Sequence, residues 1–236
     1  MLTPLEEEAL RLSLLVSGWA VFGMLLPALA CAWVLSRCHF PGKTLFDGMI
    51  HLPLVLPPVV VGYGLLVCFG RRGLIGAWLW QTFKVSLAFT WQGAALASAV
   101  MAFPLMVRAM RLGLDAVDPA LEQAARSLGC GPIRTFLTIT LPLMLPGLLT
   151  GAILAFARSL SEFGATITFV SNIPGETRTL PIALYALTQM PGAEAAAGRL
   201  CLISIAVALL ALLGSEIMTN RLRQRLAGGT HFTGER

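Results

Sequence analysis

Residues 12–36 run without a single charged side chain, and that run decides most of what the chain can become. As a helix it would be roughly 37 Å long, enough to cross a hydrocarbon core of about 30 Å with some tilt. In lipid the backbone must satisfy its own polar groups, so a helix is the form such a run takes. The pattern recurs. Residues 48–70 carry no charge beyond His51, and residues 86–107 and 135–157 carry none. A last apolar run lies between Arg199 and Glu216.

Composition agrees. Charged residues are 12% of the chain and hydrophobic residues 56%, with a mean hydropathy of +0.78. Soluble domains carry about 25% charge. These values exclude a disordered chain, a coiled coil and an ordinary soluble globule. At about 20 residues per span plus connections, 236 residues hold roughly five to seven spans and no sizeable soluble domain.

The expected architecture is an all-α integral membrane protein of one domain, residues 1–236. Its spans lie near 12–36, 48–70, 86–107, 143–165 and 197–218, with a polar loop at 108–142 and a tail at 219–236. The fourth helix is expected to start near Leu143, because of Pro142 and Pro146, and to run past Arg158 towards Phe163. The apolar stretch 179–193 is too short to span comfortably and fits a re-entrant or interfacial helix. Pro53, Pro57 and Pro58 remove backbone donors within the second span and must kink it, as a hinge, a pore-lining bend or a fixed packing kink. Gly62 and Gly64 add close packing or flexibility.

Five spans place the termini on opposite sides, and the positive-inside rule selects the orientation. With the N-terminus outside, Arg37, Lys43, Arg108, Arg111, Arg126, Arg134 and the tail arginines 221, 223, 225 and 236 fall inside. Arg11, Arg71, Arg72, Lys84, Arg178 and Arg199 fall outside, so the bias favours N-out and C-in. The Arg71–Arg72 pair argues weakly against it. The acidic opening, Glu6-Glu7-Glu8, does not read as a secretory signal. The odd, unpaired cysteines give neither a disulfide framework nor a zinc site. No cofactor is expected, and no long basic run points to nucleic acid.

The polar loop carries the most information. Asp118 is a good N-cap, Pro119 suits the first helical position, and Gly129 suits the position just past a helix end. Leu121, Ala124, Ala125 and Leu128 share one narrow apolar face. Such a short helix is marginal in water alone. It either docks into a groove on another protein or lies against the ends of this chain's own spans.

The order Glu122, Ala124, Ala125, Gly129, then Ile139, Leu141 and Pro142 resembles the EAA loop of ABC importer permeases, with Gln123 inserted relative to the bare motif. Three further stretches are similar to the molybdate subgroup: 40–62, with its Phe-Pro-Gly-Lys and Pro-Pro elements, 157–166 and 169–179. Sulfate/thiosulfate permeases are the nearest rival. The resemblance implies a type I importer permease in a bacterial inner membrane. Some relatives carry one more N-terminal span, for which residues 1–11 leave no room.

The loop would then be the coupling helix, meeting an ATPase through Glu122, Ala124, Ala125, Arg126, Leu128 and Gly129. Two separate ATPase subunits, a periplasmic oxyanion-binding protein and a second copy of the chain are the implied partners, with lipid around them. The chain has no Gly-x-x-x-x-Gly-Lys-[Ser/Thr] loop, so hydrolysis must belong to another chain.

Charged residues inside spans are costly and often functional. Arg158 and Glu162 are four apart. Together with Ser159, Pro57 and Pro58 they are candidates for the translocation path or its gate, Arg158 offering transient charge to a divalent oxyanion. The alternative is an ion pair that ties one span to a neighbour. Ser86, Thr90 and Ser98 are weaker conduit candidates, and His51 suits an interfacial position. A membrane enzyme would need a clustered nucleophile and base or metal ligands, and none is evident. An ion-driven transporter would favour inverted repeats and midplane carboxylates. Asp47, Asp115 and Asp118 all fall in loops.

Overall fold

The computed structural model describes residues 3–227, and side chains as far as Gly214. Among the described residues all the regular structure is helical, with no strand. Helix α1 spans Pro4–Arg37, α2 Lys43–Val55, α3 Pro58–Phe69, α4 Leu74–Phe83 and α5 Trp91–Asp115. Then come α6 Pro119–Ser127 and the short α7 Pro132–Thr135. A π-helical turn, Phe136–Thr140, feeds α8 Leu141–Leu160, followed by α9 Gly164–Val170, α10 Leu180–Thr188 and α11 Glu194–Ala227.

Four segments are long and apolar enough to cross a membrane: α1, α5, Pro132–Leu160 and Glu194–Gly214. A fifth crossing needs α2 and α3 taken together, and these are bent by 111° at their junction. The bend follows from local chemistry. Leu56 and Pro57 each precede a proline, which drives a residue out of the helical region. Their ψ angles are 143° and 132°, both extended. Helix α3 then restarts with Pro58 in its first turn, where a missing N–H costs nothing. Pro53, by contrast, lies inside α2 without ending it.

Helix α5 is the centre of the bundle. Its most apolar window is 67% buried, against 28% for α1 and 6% for α11. Ala20, Met24, Ala28 and Ala32 place a residue every four positions along one stripe of α1, facing Ala102, Met106 and Met110 in the main core cluster. Small residues let the helices approach closely, and in lipid that packing supplies much of the association energy. Between α5 and α8 the backbones nearly touch. A Cβ on Gly147 would lie 2.6 Å from the Cα of Gly113.

The bundle has two distinct ends. One gathers the start of α1, the start of α5, the loop after α9 and the start of α11. There Glu6 pairs with Arg199 at 3.2 Å, Glu8 accepts from the Gly175 N–H, Glu176 accepts from the Trp91 N–H, and Ser13 accepts from the Leu180 N–H. The opposite end gathers the end of α1, the start of α2, the end of α5 and α6.

Helix ends differ from the spans read off hydropathy. Helix α1 begins at Pro4 because Thr3 and Glu6 form a reciprocal capping box. Helix α5 begins only at Trp91, where the Thr90 hydroxyl caps the Gly93 N–H; residues 86–90 form the turn before it, with Phe89 left-handed at φ 65°. Helix α8 stops at Leu160 and does not reach Phe163, because Glu162 caps the next helix. The apolar stretch after residue 179 forms α10, nine residues long.

Candidate coupling site and membrane passage

Helix α6 forms where its termini are best satisfied. The Asp118 carboxylate accepts from the Ala120 N–H at 2.8 Å, and Pro119 opens the helix. At the other end Gly129 turns left-handed at φ 86°. That turn lets the Cys130 N–H reach the Ala125 carbonyl and the Gly129 N–H the Arg126 carbonyl, both at 3.0 Å. Cys130-Gly131 then hands the chain to α7.

The helix has two working faces. Glu122 and Ala125 point inward and are buried, at 8% and 7% exposure. Ala124, Arg126 and Leu128 point outward with Leu121, and Leu128 is 86% exposed. The two sequence alternatives therefore apply to opposite faces: one rests on the chain's own helices, and the other is open. Ile133 of α7 is also exposed, in a groove beside Leu29 and Trp33 of α1.

Glu122 is held by two donors. The Arg37 Nη2 lies 2.9 Å from Glu122 Oε1, and the Thr140 hydroxyl donates to the same oxygen at 2.8 Å. A buried carboxylate is costly unless it is paired and hydrogen-bonded, and both conditions are met. Arg37 also reaches the Leu114 carbonyl at 3.4 Å. The next polar contacts continue outward from here. Ser36 donates to Asp115 at 2.5 Å, and Arg111 lies 3.3 Å from Asp47 on α2. Asp47 also sits 3.2 Å from His51.

The gate candidates lie elsewhere. Arg158 Nη1 is 2.7 Å from Glu162 Oε2, with side-chain exposures of 26% and 1%. Glu162 Oε1 accepts from the Ala165 N–H at 2.8 Å, at the start of α9. The pair thus joins two helices across the break at Ser161. Ser159 is buried, and its hydroxyl has no partner among the described residues. Pro57 and Pro58 form the α2–α3 corner, and Pro58 packs against α9: a Cβ on Gly164 would lie 2.7 Å from the Pro58 Cβ. Pro58 and Glu162 therefore border one helix, α9. Ser86 and Thr90 donate to the nearby Ala88 and Leu87 carbonyls and serve the local turn.

The family of binding-protein-dependent transport system inner membrane components matches residues 11–227. The chain belongs to that family. It is accordingly a multi-pass inner-membrane permease, and the all-α type I importer fold follows. The chain is 61% identical to the molybdenum transport system permease protein ModB of Escherichia coli K12, over 95% of this chain and 98% of that one. It is 55% identical to ModB of Haemophilus influenzae, over 95% and 98%. The sulfate transport system permease protein CysT of Escherichia coli K12 is more distant, 35% identical over 88% of this chain and 73% of that one. Among solved structures, a bacterial ABC transporter for alginate import superposes with a TM-score of 0.74 at 17% identity, covering 93% of this permease and 80% of that chain.

Sequence reasoning missed Arg37, Thr140, Asp47 and Arg111 as residues gathered around α6 and the neighbouring helix ends. Arg37 is 85 residues from Glu122, so no local pattern joins them. The available signal was Glu122 itself: a carboxylate in the first turn beside an alanine-lined face, requiring a cation from somewhere in the fold.

Proposed function

We propose that this permease is the membrane-spanning subunit of an ATP-driven molybdate importer. The observation that carries the reading is the 61% identity with ModB over nearly the whole of both chains. The identity with the sulfate permease is much lower, 35% over a smaller share of each chain. Two copies of the chain enclose the passage, because five crossings are few to surround a path. Two separate ATPase subunits sit beneath, and a periplasmic oxyanion-binding protein docks on the far end.

The outward face of α6, with Leu121, Ala124, Arg126 and Leu128, is the ATPase contact. The inward face, through Glu122 and Ala125, fixes that contact to the bundle. Closure of the ATPases on ATP draws the two coupling helices together and opens the passage outward; hydrolysis resets it. Arg158, held by Glu162, offers a passing dianion partial neutralisation without trapping it. Selectivity rests mainly on the binding protein.

The N-terminus lies on the periplasmic side and the C-terminus in the cytoplasm. Two features support this orientation. Helix α6 lies at the end of the bundle opposite the start of α1, and α11 carries the arginines at 221, 223 and 225 beyond the apolar window that ends at Gly214.

Reconstitution into liposomes with the cognate ATPase and binding protein tests the reading. ATP-dependent accumulation of molybdate over sulfate is the expected result. A preference for sulfate, or uptake driven by an ion gradient without ATP, would overturn it. Tungstate, nearly the same size and charge, is expected to compete.

A further inference from the structure

The coupling helix is joined to the bundle by two weak links and one strong one. It follows α5 through the turn at Ala116-Val117-Asp118 and precedes α7 through Leu128, the left-handed Gly129, Cys130 and Gly131. Neither connection is helical, so a push on α6 could be absorbed there. The strong link is the Glu122 carboxylate, which ties α6 to the last residue of α1 and to Thr140 of the π-helical turn. Glu122 and Thr140 are 8% and 1% exposed and the Arg37 side chain 21%, so water screens the contact only from the Arg37 side. The π-helical turn is an underwound segment of a kind that often marks functional sites. Beside Arg37, Ser36 engages Asp115 of α5, and Arg111 on α5 engages Asp47 of α2, the helix that runs into the Pro57–Pro58 corner.

We propose that Arg37 is the positioning residue through which displacement of the coupling helix is passed to α1 and the bundle, by way of its ion pair with Glu122. Its part is to act through Glu122 and not on the transported anion itself. The inference rests on the importer reading above, and it adds a cross-helix clasp that makes α6, α1 and the π-helical turn move as one body. Without the clasp, the ATPases still close and hydrolyse ATP, but the turns flanking α6 take up the motion.

The test uses the complete complex in liposomes, with loaded binding protein. Molybdate moved and ATP hydrolysed are both measured for wild type, R37Q, E122Q, R37K and R37Q/E122Q. Expected is a loss of transported molybdate per ATP of roughly fivefold or more in R37Q and E122Q, within the usual range of site-to-site coupling. R37K, which keeps the charge, is expected to lose less. The double variant is expected to be no worse than the poorer single one, since each removes the same contact. Complexes are first isolated intact by size exclusion, so a variant that assembles poorly is still read on its assembled fraction. An unchanged ratio in both single variants, or losses that multiply in the double variant, would overturn the proposal. Absence of ATP-driven uptake by wild type would instead overturn the importer reading, and this inference with it.

Discussion

Arg158 and Glu162 are bound across the end of α8, 2.7 Å apart, and the same Glu162 side chain caps the first turn of α9 through the Ala165 N–H. One carboxylate therefore does two jobs: it closes a helix break and holds the Arg158 guanidinium. The two jobs separate by substitution. In E162Q the amide oxygen can still accept from Ala165, while Arg158 loses its counter-charge. A stability loss of about 1–3 kcal/mol is expected, below the full cost of breaking a buried pair because Arg158 is partly exposed. Thermal unfolding in detergent reads this. R158Q is expected to slow molybdate uptake at normal membrane levels. Unchanged transport in R158Q would remove Arg158 from the passage and leave the pair a helix tie.

Gly62 is a packing requirement. A Cβ there would lie 2.5 Å from the Ala165 carbonyl oxygen and 2.9 Å from the Thr168 Cβ. Backbone cannot yield as a flexible side chain does, so α3 must separate from α9. Gly62→Ala is expected to cost ~1–3 kcal/mol, and Gly62→Val more, by overpacking. Gly64 on the same helix has open space around a built Cβ, so Gly64→Ala is the control. Equal melting temperatures for the variants at 62 and 64 would contradict the α3–α9 contact.

Gly129 is needed for its backbone rather than for space. Its φ is 86°, and nothing lies within 4 Å of a built Cβ. Gly129→Ala should therefore cost roughly 1–2 kcal/mol through left-handed strain alone, with no clash. The effect should be local to the end of α6. Hydrogen exchange of the Gly129 and Cys130 amides is expected to quicken, while the α5 core stays protected. Global destabilisation instead would mean that α6 is more deeply integrated than its exposed outward face indicates.

Much of this end was legible in the sequence. Asp118, Pro119 and Gly129 mark both ends of α6 because capping and left-handed turns are decided within a few residues. The Pro57–Pro58 break was legible for the same reason. Its 111° angle was not, since no local rule fixes the angle between two helices that meet at extended residues. Hydropathy placed the apolar runs but not the helix ends. A capping box carries α1 back to Pro4, outside the charge-free run, and the Glu162 cap stops α8 short of Phe163. Most opaque was the inward turn of Glu122. Periodicity grouped Leu121, Ala124, Ala125 and Leu128 as one face, yet only Ala125 among them is buried. A cation on a distant helix outweighed the apolar count, and pairwise attraction between residues so far apart in sequence leaves no trace in a local pattern.

Leu128 gives the sharpest reading of the outward face. It is 86% exposed at the end of α6, and exposed Leu121, at 47%, stands seven residues before it, two turns along the same helix. A large apolar side chain so placed has no partner within the described chain and gains only by being covered. Leu128→Glu should leave the fold intact, because the side chain packs on nothing here. It should weaken the ATPase contact by about 2 kcal/mol, the size of an interfacial anchor, or roughly thirtyfold in affinity. Gln123, exposed on the same helix but polar, is the comparison: Gln123→Glu should change affinity far less. Co-purification at graded ATPase concentration measures both. If Leu128→Glu bound as tightly as wild type, the ATPase would have to dock elsewhere, and the outward face of α6 would lose its assigned role.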